Sequence, residues 1–381
     1  MQLDDILKQA VERGASDVLL KTGAPPAYRV DSDLLPPEGA HPLSSLDVDS
    51  MVDSLFDEYR RKRFAAELQA DLAYETEMGR FRVNVFRQRG ELAIVIRVIP
   101  TEIRNVSELN LPPIVERIAE ERRGLVLVTG ATGSGKSTTL AAMINHINQN
   151  RAAHVITIED PIEYIHRDGR SFVSQREVGY DATSFASALK AALRQNPDVI
   201  LVGEMRDLET METAVLAAET GHLVMSTMHT LDAPQTITRA IGVFPEHQRD
   251  QIRLILASVL RGIVSQRLIP KADGKGQVPA IEVLVSTERV REYIADKTKT
   301  RDLRDVIAQS HTAYGMQTFD QSLMALHRSG LISYDEAMSY ASNPADFALK
   351  VSGLSSTSDS RWSEFDGSGS DGKSSIEIER F

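Results

Sequence analysis

Gly130-Ala131-Thr132-Gly133-Ser134-Gly135-Lys136-Ser137 is a complete G-x-x-x-x-G-K-[ST] phosphate loop. The run before it, Gly124 to Thr129, reads as a short buried strand. The run after it, Ser137 to His146, reads as a helix with Leu140, Met143 and Ile144 on one face. Strand, glycine loop and helix are the context that the motif needs. Glycines let backbone N–H groups close around phosphate oxygens, and a helix N-terminus adds partial positive charge. Lys136 is expected to reach the β- and γ-phosphates. The Ser137 hydroxyl is expected on Mg²⁺, with Thr138 beside it among the nucleotide-binding residues and ATP as substrate.

Working outward, the pattern from Ile114 onward alternates strand and helix, which predicts an α/β fold with parallel strands. Strands are expected at 124–129, 154–159, 198–203 and 222–227, with helices at 182–194 and 207–220 between them. After Ala233 the chain reads as mostly helical: 245–257, 286–296, 300–310, 316–329 and 333–341, interrupted by a strand at 278–285. Residues 1–99 read as a small α+β domain. Leu3, Ile6, Leu7, Ala10 and Val11 form a helical stripe, and 46–68 reads as one charged helix. In Arg80-Phe81-Arg82-Val83-Asn84-Val85-Phe86 the apolar residues alternate with polar ones, so Phe81, Val83 and Val85 share one strand face. Residues 100–113 read as a polar linker, 114–353 as the ATPase domain, and 354–381, rich in Ser, Gly and Asp, as a disordered tail.

Composition narrows the function. The chain has 381 residues, a formal net charge of −11 and no cysteine. That charge argues against a protein that coats nucleic acid. Lack of cysteine removes disulfides, thiol catalysis and Cys-type zinc sites. The opening Met1-Gln2-Leu3-Asp4-Asp5 is acidic, unlike a signal peptide. No apolar run approaches the roughly 20 residues of a membrane span, so no direct membrane insertion is expected.

Three further stretches place carboxylates and histidines where a nucleotide site needs them. Ile158-Glu159-Asp160-Pro161-Ile162-Glu163 follows an apolar strand, and in a parallel sheet such strand ends open on the ligand crevice. Glu163 is the candidate to polarise an attacking water. Asp198 to Glu204 is a hydrophobic strand ending in a carboxylate, with Glu204 facing Mg²⁺ or its water ligands. Gly203 stands where an Asp often precedes the Glu, so one acid serves the metal side. In Gly221-His222-Leu223-Val224-Met225-Ser226-Thr227-Met228-His229-Thr230, His229 ends a strand and is a candidate γ-phosphate contact; His222 begins it on a different face. Arg80, Arg82 and Arg97 in the N-terminal hairpin are either a solvated strand face or phosphate-facing groups.

These boxes together resemble the secretion-ATPase superfamily. Within it, Gly79-Arg80-Phe81-Arg82-Val83-Asn84, Ser174-Gln175-Arg176-Glu177-Val178-Gly179 and Gly315-Met316-Gln317-Thr318-Phe319-Asp320-Gln321 resemble the PilT/PilU family of type IV pilus retraction ATPases. The resemblance runs over residues 1 to about 352. It implies a PAS-like N-terminal domain, a RecA-like P-loop NTPase domain with a helical C-terminal region, and a homohexameric ring. It also implies nucleotide between the two domains, an inner-membrane platform protein of the pilus as partner, a possible paralogous retraction ATPase, and a cytoplasmic location at the inner membrane. On this resemblance Lys136 and Ser137 hold phosphate and Mg²⁺, Glu163 is the general base, Glu204 the Walker B acid, and Arg80, Arg82 and Arg97 lie near nucleotide or the domain interface. The family's retraction signature after the late strand is degraded here to Glu292-Tyr293-Ile294-Ala295-Asp296-Lys297-Thr298-Lys299-Thr300, and the Ser-rich extension resembles the accessory paralogue. Pilus-extension and type II secretion ATPases, a scaffold ring subunit and a RecA-type helicase are the competing readings.

Overall fold

The computed structural model describes residues 2–30, 33–99 and 102–353. The stretch expected to be a disordered tail, with Trp362 and Phe365, lies outside the described residues. The chain divides into two units. The smaller takes Met1–Ile103 with Glu159–Arg167 and Glu177–Gly179, and the larger takes Arg104–Ile158, Asp168–Arg176 and the described chain from Tyr180 on.

In the smaller unit, helix α1 (Leu3–Glu12) precedes strands β1 (Asp17–Lys21), β2 (Ala27–Val30) and β3 (Asp33–Leu35). Helices α2 (Ser45–Leu55) and α3 (Glu58–Glu67) follow, then β4 (Gln69–Thr76), β5 (Gly79–Gln88) and β6 (Glu91–Ile99). The strands form an antiparallel sheet in the order β3-β2-β1-β6-β5-β4. Phe81, Val83 and Val85 are fully buried, as their alternation requires, and pack with Ile94, Ile96, Ile6 and Leu7. Each such side chain contributes roughly 1.5–3 kcal/mol by leaving water.

The single helix expected over 46–68 is two. Phe56 turns extended and buries its ring 5.3 Å from that of Phe64, and Asp57 accepts the Arg60 N–H at 2.7 Å to start the second helix. An internal N-cap therefore outweighs the continuous amphipathic pattern. β4 was absent from the sequence reading; its Gln-Ala-Asp-Leu-Ala-Tyr-Glu-Thr run is too polar to stand out, and its pairing with β5 makes it a strand.

The larger unit opens with α4 (Ile114–Ala119), β7 (Gly124–Thr129), α5 (Lys136–Asn150), β8 (His154–Glu159), β9 (Phe172–Glu177), α6 (Phe185–Ala192), β10 (Val199–Val202), α7 (Leu208–Glu219), β11 (Leu223–Met228) and α8 (Ala233–Gly242). It closes with α9 (Arg249–Val259), β12 (Leu260–Pro270), β13 (Gln277–Val285), α10 (Glu288–Ala295), α11 (Leu303–Ala308), α12 (His311–Tyr314), α13 (Phe319–Arg328), α14 (Tyr334–Tyr340) and α15 (Pro344–Val351). The sheet order is β13-β12-β7-β11-β10-β8-β9. β12, β7, β11, β10 and β8 run parallel, and β13 is antiparallel to β12. β7, β10 and β11 are buried throughout, as strands covered on both faces must be. Val106, Leu109 and Leu111, inside the stretch read as a linker, are buried in this unit's core with Ile114 and Val115.

One correction bears on the site. The region after Ala233 reads as mostly helical, with 278–285 as its one strand, yet Leu260–Pro270 is an eleven-residue strand paired in parallel with β7. Gly262 and the polar Ser265 and Gln266 break its apolar run, which hides it from periodicity.

Candidate nucleotide site

The phosphate loop leaves the carboxyl end of β7 and turns into α5 at Lys136. Gly130 (φ +147°), Gly133 (φ +79°) and Gly135 (φ +87°) all adopt backbone conformations that L side chains rarely reach. Space excludes a larger residue as well: a Cβ on Gly130 would lie 2.4 Å from the Gln266 carbonyl oxygen. The Lys136 side chain is buried and its ammonium donates to the carbonyls of Gly130 (3.1 Å) and Ala131 (2.9 Å), so it is held over the loop. Ala131, Thr132 and Gly133 are exposed at the tip; Ser137 and Thr138 are half-buried on the first turn of α5.

Gln266 on β12 is the residue that sequence reasoning missed. Its side-chain amide donates to the Ser134 carbonyl and accepts from Thr139 Oγ1 at 2.9 Å. It is 2% exposed, and it ties the loop to α5 from the adjacent strand. A Gln inside the strand beside the loop's own strand is the signal, and it is legible only once β12 is recognised.

β10 and β11 bring the next two candidates together. Glu204 follows β10 by two residues, and His229 follows β11 directly. The Glu204 carboxylate sits 2.6 Å from Arg206 Nε and 3.6 Å from His229 Nε2, through one oxygen. Thr227 Oγ1 donates to the Gly203 carbonyl at 2.6 Å, and the Met205 N–H donates to the Thr227 carbonyl, fixing the two strand ends side by side. Because Met228 pairs with Thr129 in the ladder, His229 stands beside the first loop residue, Gly130. Asp207, by contrast, caps α7 through the Thr210 N–H and has a structural task.

His222 is not part of this grouping. It precedes the opposite end of β11, so six strand residues, roughly 20 Å of extended chain, separate it from His229. Its Nδ1 lies 2.9 Å from the Ala217 carbonyl at the end of α7. Two histidines bracketing one strand do not share a site, since a strand has two ends and only its carboxyl end meets the loop.

The remaining candidates lie in the smaller unit. The Glu163 N–H points at the Glu159 carboxylate at 3.5 Å. Glu177 accepts the Ile162 N–H at 3.2 Å and Arg80 Nη2 at 2.9 Å, so Arg80 braces the segment that carries Glu163. Arg82 makes three contacts to the Asp71 carboxylate, the shortest 2.7 Å, and this ion pair, with Glu163 and Asp160 adding to it, holds its guanidinium more firmly protonated. Arg97 pairs with Asp17 at 3.1 Å and remains 64% exposed. All three arginines thus have carboxylate partners inside their own unit; the hairpin is neither a bare solvated face nor a set of uncommitted cations.

The donor set fits a nucleotide better than a protein-held metal. Ser134 Oγ is buried in the loop with no partner among the described residues, in a cradle that a single Cβ would fill. Among the described residues no group of three or more His, Asp or Glu could hold a metal ion. A divalent ion here would take most of its ligands from phosphate oxygens and water, as Mg²⁺ commonly does.

Comparison with known proteins agrees with this geometry. The sequence model of the family described as "Type II/IV secretion system protein" matches residues 1–313. The chain belongs to that family. Within it, the chain is 42% identical over 360 residues to the type IV pilus ATPase PilU of Pseudomonas aeruginosa, covering 94% of this chain and 93% of the relative. It is 41% identical over 358 residues to PilT of the same organism, covering 91% and 100%. The crystal structure of the pilus retraction motor PilT with bound ADP superposes with a TM-score of 0.85 at 44% identity, covering 91% of this chain and 98% of that one. The Legionella pneumophila ATPase DotB superposes at 0.75 with 29% identity. The chain is therefore a PilT/PilU-type member of the secretion-ATPase family, and its mixed α/β fold with a parallel sheet and a helical C-terminal region is the fold of those ATPases.

Proposed function

We propose that this chain hydrolyses ATP and uses the energy to power type IV pilus retraction. The observation that carries the reading is the pairing of a complete phosphate loop on β7 with Glu204 and His229 at the ends of the two next strands of the same sheet.

In this reading the loop N–H groups from Ala131 to Ser137 and the α5 N-terminus bind the phosphates, and Lys136 leaves its loop carbonyls for the β- and γ-oxygens. Ser137 would hold Mg²⁺ and Glu204 would act on it through a water ligand; the ion would supply positive charge to the phosphate oxygens. Glu163 takes the proton from the attacking water, and His229 senses the γ-phosphate. Arg80, Arg82 and Arg97 complete the site from the smaller unit, exchanging a carboxylate partner for phosphate charge. Subunits assemble into a homohexameric ring, in the cytoplasm, held at the inner membrane through the pilus platform protein. That platform contact carries the stroke.

A second reading has its own support: the chain is as close to PilU as to PilT. On that reading it is an accessory retraction ATPase that works beside a paralogue. Retraction scored by microscopy in strains lacking this gene, its paralogue or both separates the two. Loss of retraction in the single deletion, restored by the wild-type gene and not by Lys136→Ala, supports a primary motor. Undiminished retraction force in the single deletion, whether or not a paralogue is present, contradicts both readings.

A further inference from the structure

At the amino ends of the parallel strands, away from the phosphate loop, the larger unit gathers six arginines. Arg122 and Arg123 immediately precede β7, Arg151 lies just before β8, Arg261 is the second residue of β12, Arg117 is on α4, and Arg170 lies just before β9. They line two adjoining clefts of about 440 and 370 Å³ that share Arg122 and Glu120. Only two carboxylates, Glu120 and Glu121, line the same clefts.

Carboxylates are scarce around these cations. Arg117, Arg122, Arg123 and Arg170 have guanidinium groups with no carboxylate or hydrogen-bond partner among the described residues. Arg151 has one carboxylate, Asp198 at 3.9 Å, and donates to the Glu121 carbonyl at 3.4 Å; Arg261 has one carboxylate, Glu121 at 3.7 Å, and donates to the carbonyls of Arg123, Ser258 and Leu260, all among the described residues. Glu120 is taken by His146 at 3.2 Å. Arg151 Nε is buried without a partner among the described residues. Burial, followed by the like charge of Arg122 and only partly opposed by Asp198, pulls the Arg151 guanidinium below its ordinary pKa; burial does the same for Arg261 against Glu121, with Arg291 and Arg123 adding to it.

The fold holds this crowding in place. Gly124 has φ +114°, and a Cβ there would stand 2.4 Å from the Val259 carbonyl oxygen and 2.7 Å from Arg261 Cγ, so glycine leaves room for both at the strand start. Arg261 Nε donates to the Arg123 carbonyl at 3.0 Å. Like charges gathered in concave clefts, on a chain whose net charge is −11, are relieved by an anion that enters.

We infer that this basic face docks an acidic segment of a partner protein. Guanidinium forks match carboxylates two bonds at a time. The clefts are of side-chain size and concave, so a flat lipid headgroup layer does not reach into them. Glu120 and Glu121 interrupt the positive field, which a uniformly charged polyanion such as nucleic acid meets as repulsion and a mixed polypeptide can step around. The face is one strand length from the nucleotide loop, so the partner can stay bound through turnover.

The test uses the full chain and a fluorescein-labelled acidic peptide in which Glu alternates with Ser, read by anisotropy. Wild type should bind, with affinity falling as salt rises from about 50 to 300 mM. Arg122→Glu/Arg170→Glu, both exposed and outside the nucleotide machinery, should weaken binding at least about tenfold while ATP turnover stays at the wild-type level. If that variant does not fold, Arg122→Gln/Arg170→Gln is measured against the same threshold. Undetectable binding by wild type, or equal binding by the variant, overturns the inference. So does tighter binding of phosphatidylglycerol vesicles or of a single-stranded DNA oligonucleotide that is lost in the same variant, since either assigns the face to another class of partner.

Discussion

Lys136 is the only charged side chain in the phosphate loop, and its ammonium already lies over the carbonyls of Gly130 and Ala131. Glu163→Gln should leave Mg-ATP binding near the wild-type level and stop turnover, because an amide cannot accept the water's proton. Glu204→Gln should slow turnover through the metal side and also release Arg206 and His229 from their shared oxygen. Normal hydrolysis by Glu163→Gln alongside a dead Glu204→Gln would reverse these roles. Gln266→Leu tests the brace the sequence did not reveal: it leaves the Ser134 carbonyl and Thr139 hydroxyl without their partner, at roughly 1–3 kcal/mol for each buried group. Calorimetry should show a lower Tm, and ATP affinity should fall with it; an unchanged Tm contradicts the bracing role. Lys136, Ser137, Glu204 and His229 were legible because chemistry and strand-end position coincide in a short window. Gln266 was not, because its partners are more than a hundred residues away in the chain.

Among the elements, the parallel strands β7, β8, β10 and β11 could be read from apolar runs alone, since a strand buried on both faces needs no alternation. β12 could not, because Gly262, Ser265 and Gln266 serve the neighbouring strand and loop rather than a hydrophobic period. Its antiparallel neighbour β13 carries a fully buried carboxyl, Glu282, which accepts the Ala233 N–H at the start of α8 at 2.8 Å. Next to it, Asp232 caps the same helix through Gln235 and pairs with Arg304 at 2.6 Å. Burial pushes the Glu282 pKa up to about 7, and the Ala233 N–H and the nearby Arg304 and Arg267 only partly oppose it. The folded state therefore holds a proton that the unfolded chain releases near its ordinary 4.5. This stabilisation is complete below about 4.5 and is lost as pH rises through about 7. Thermal melts between about pH 5 and pH 8 should show wild type losing Tm faster than Glu282→Gln. Parallel slopes for the two proteins would remove Glu282 from the account.

At the scale of the molecule, the small α+β unit was legible from one alternating strand, while its reach was not. The segments Glu159–Arg167 and Glu177–Gly179, which belong with it, lie far along the chain. They join it through contacts such as Arg80 with Glu177 that no local pattern encodes. If the hairpin arginines act on charge developing at the γ-phosphate, at least one of Arg80→Ala, Arg82→Ala and Arg97→Ala should lose roughly 10²-fold in turnover with little change in nucleotide affinity. Wild-type turnover in all three would leave their carboxylate partners as their whole role. The reading as a whole rests on ATP being cleaved at the loop that ends β7. Phosphate release by the purified full chain with Mg-ATP, wild type beside Lys136→Ala, tests this most directly. The account predicts steady release by wild type and none measurable from the variant. No release by wild type, or a variant within about tenfold of it, roughly 1.4 kcal/mol of barrier, would contradict it.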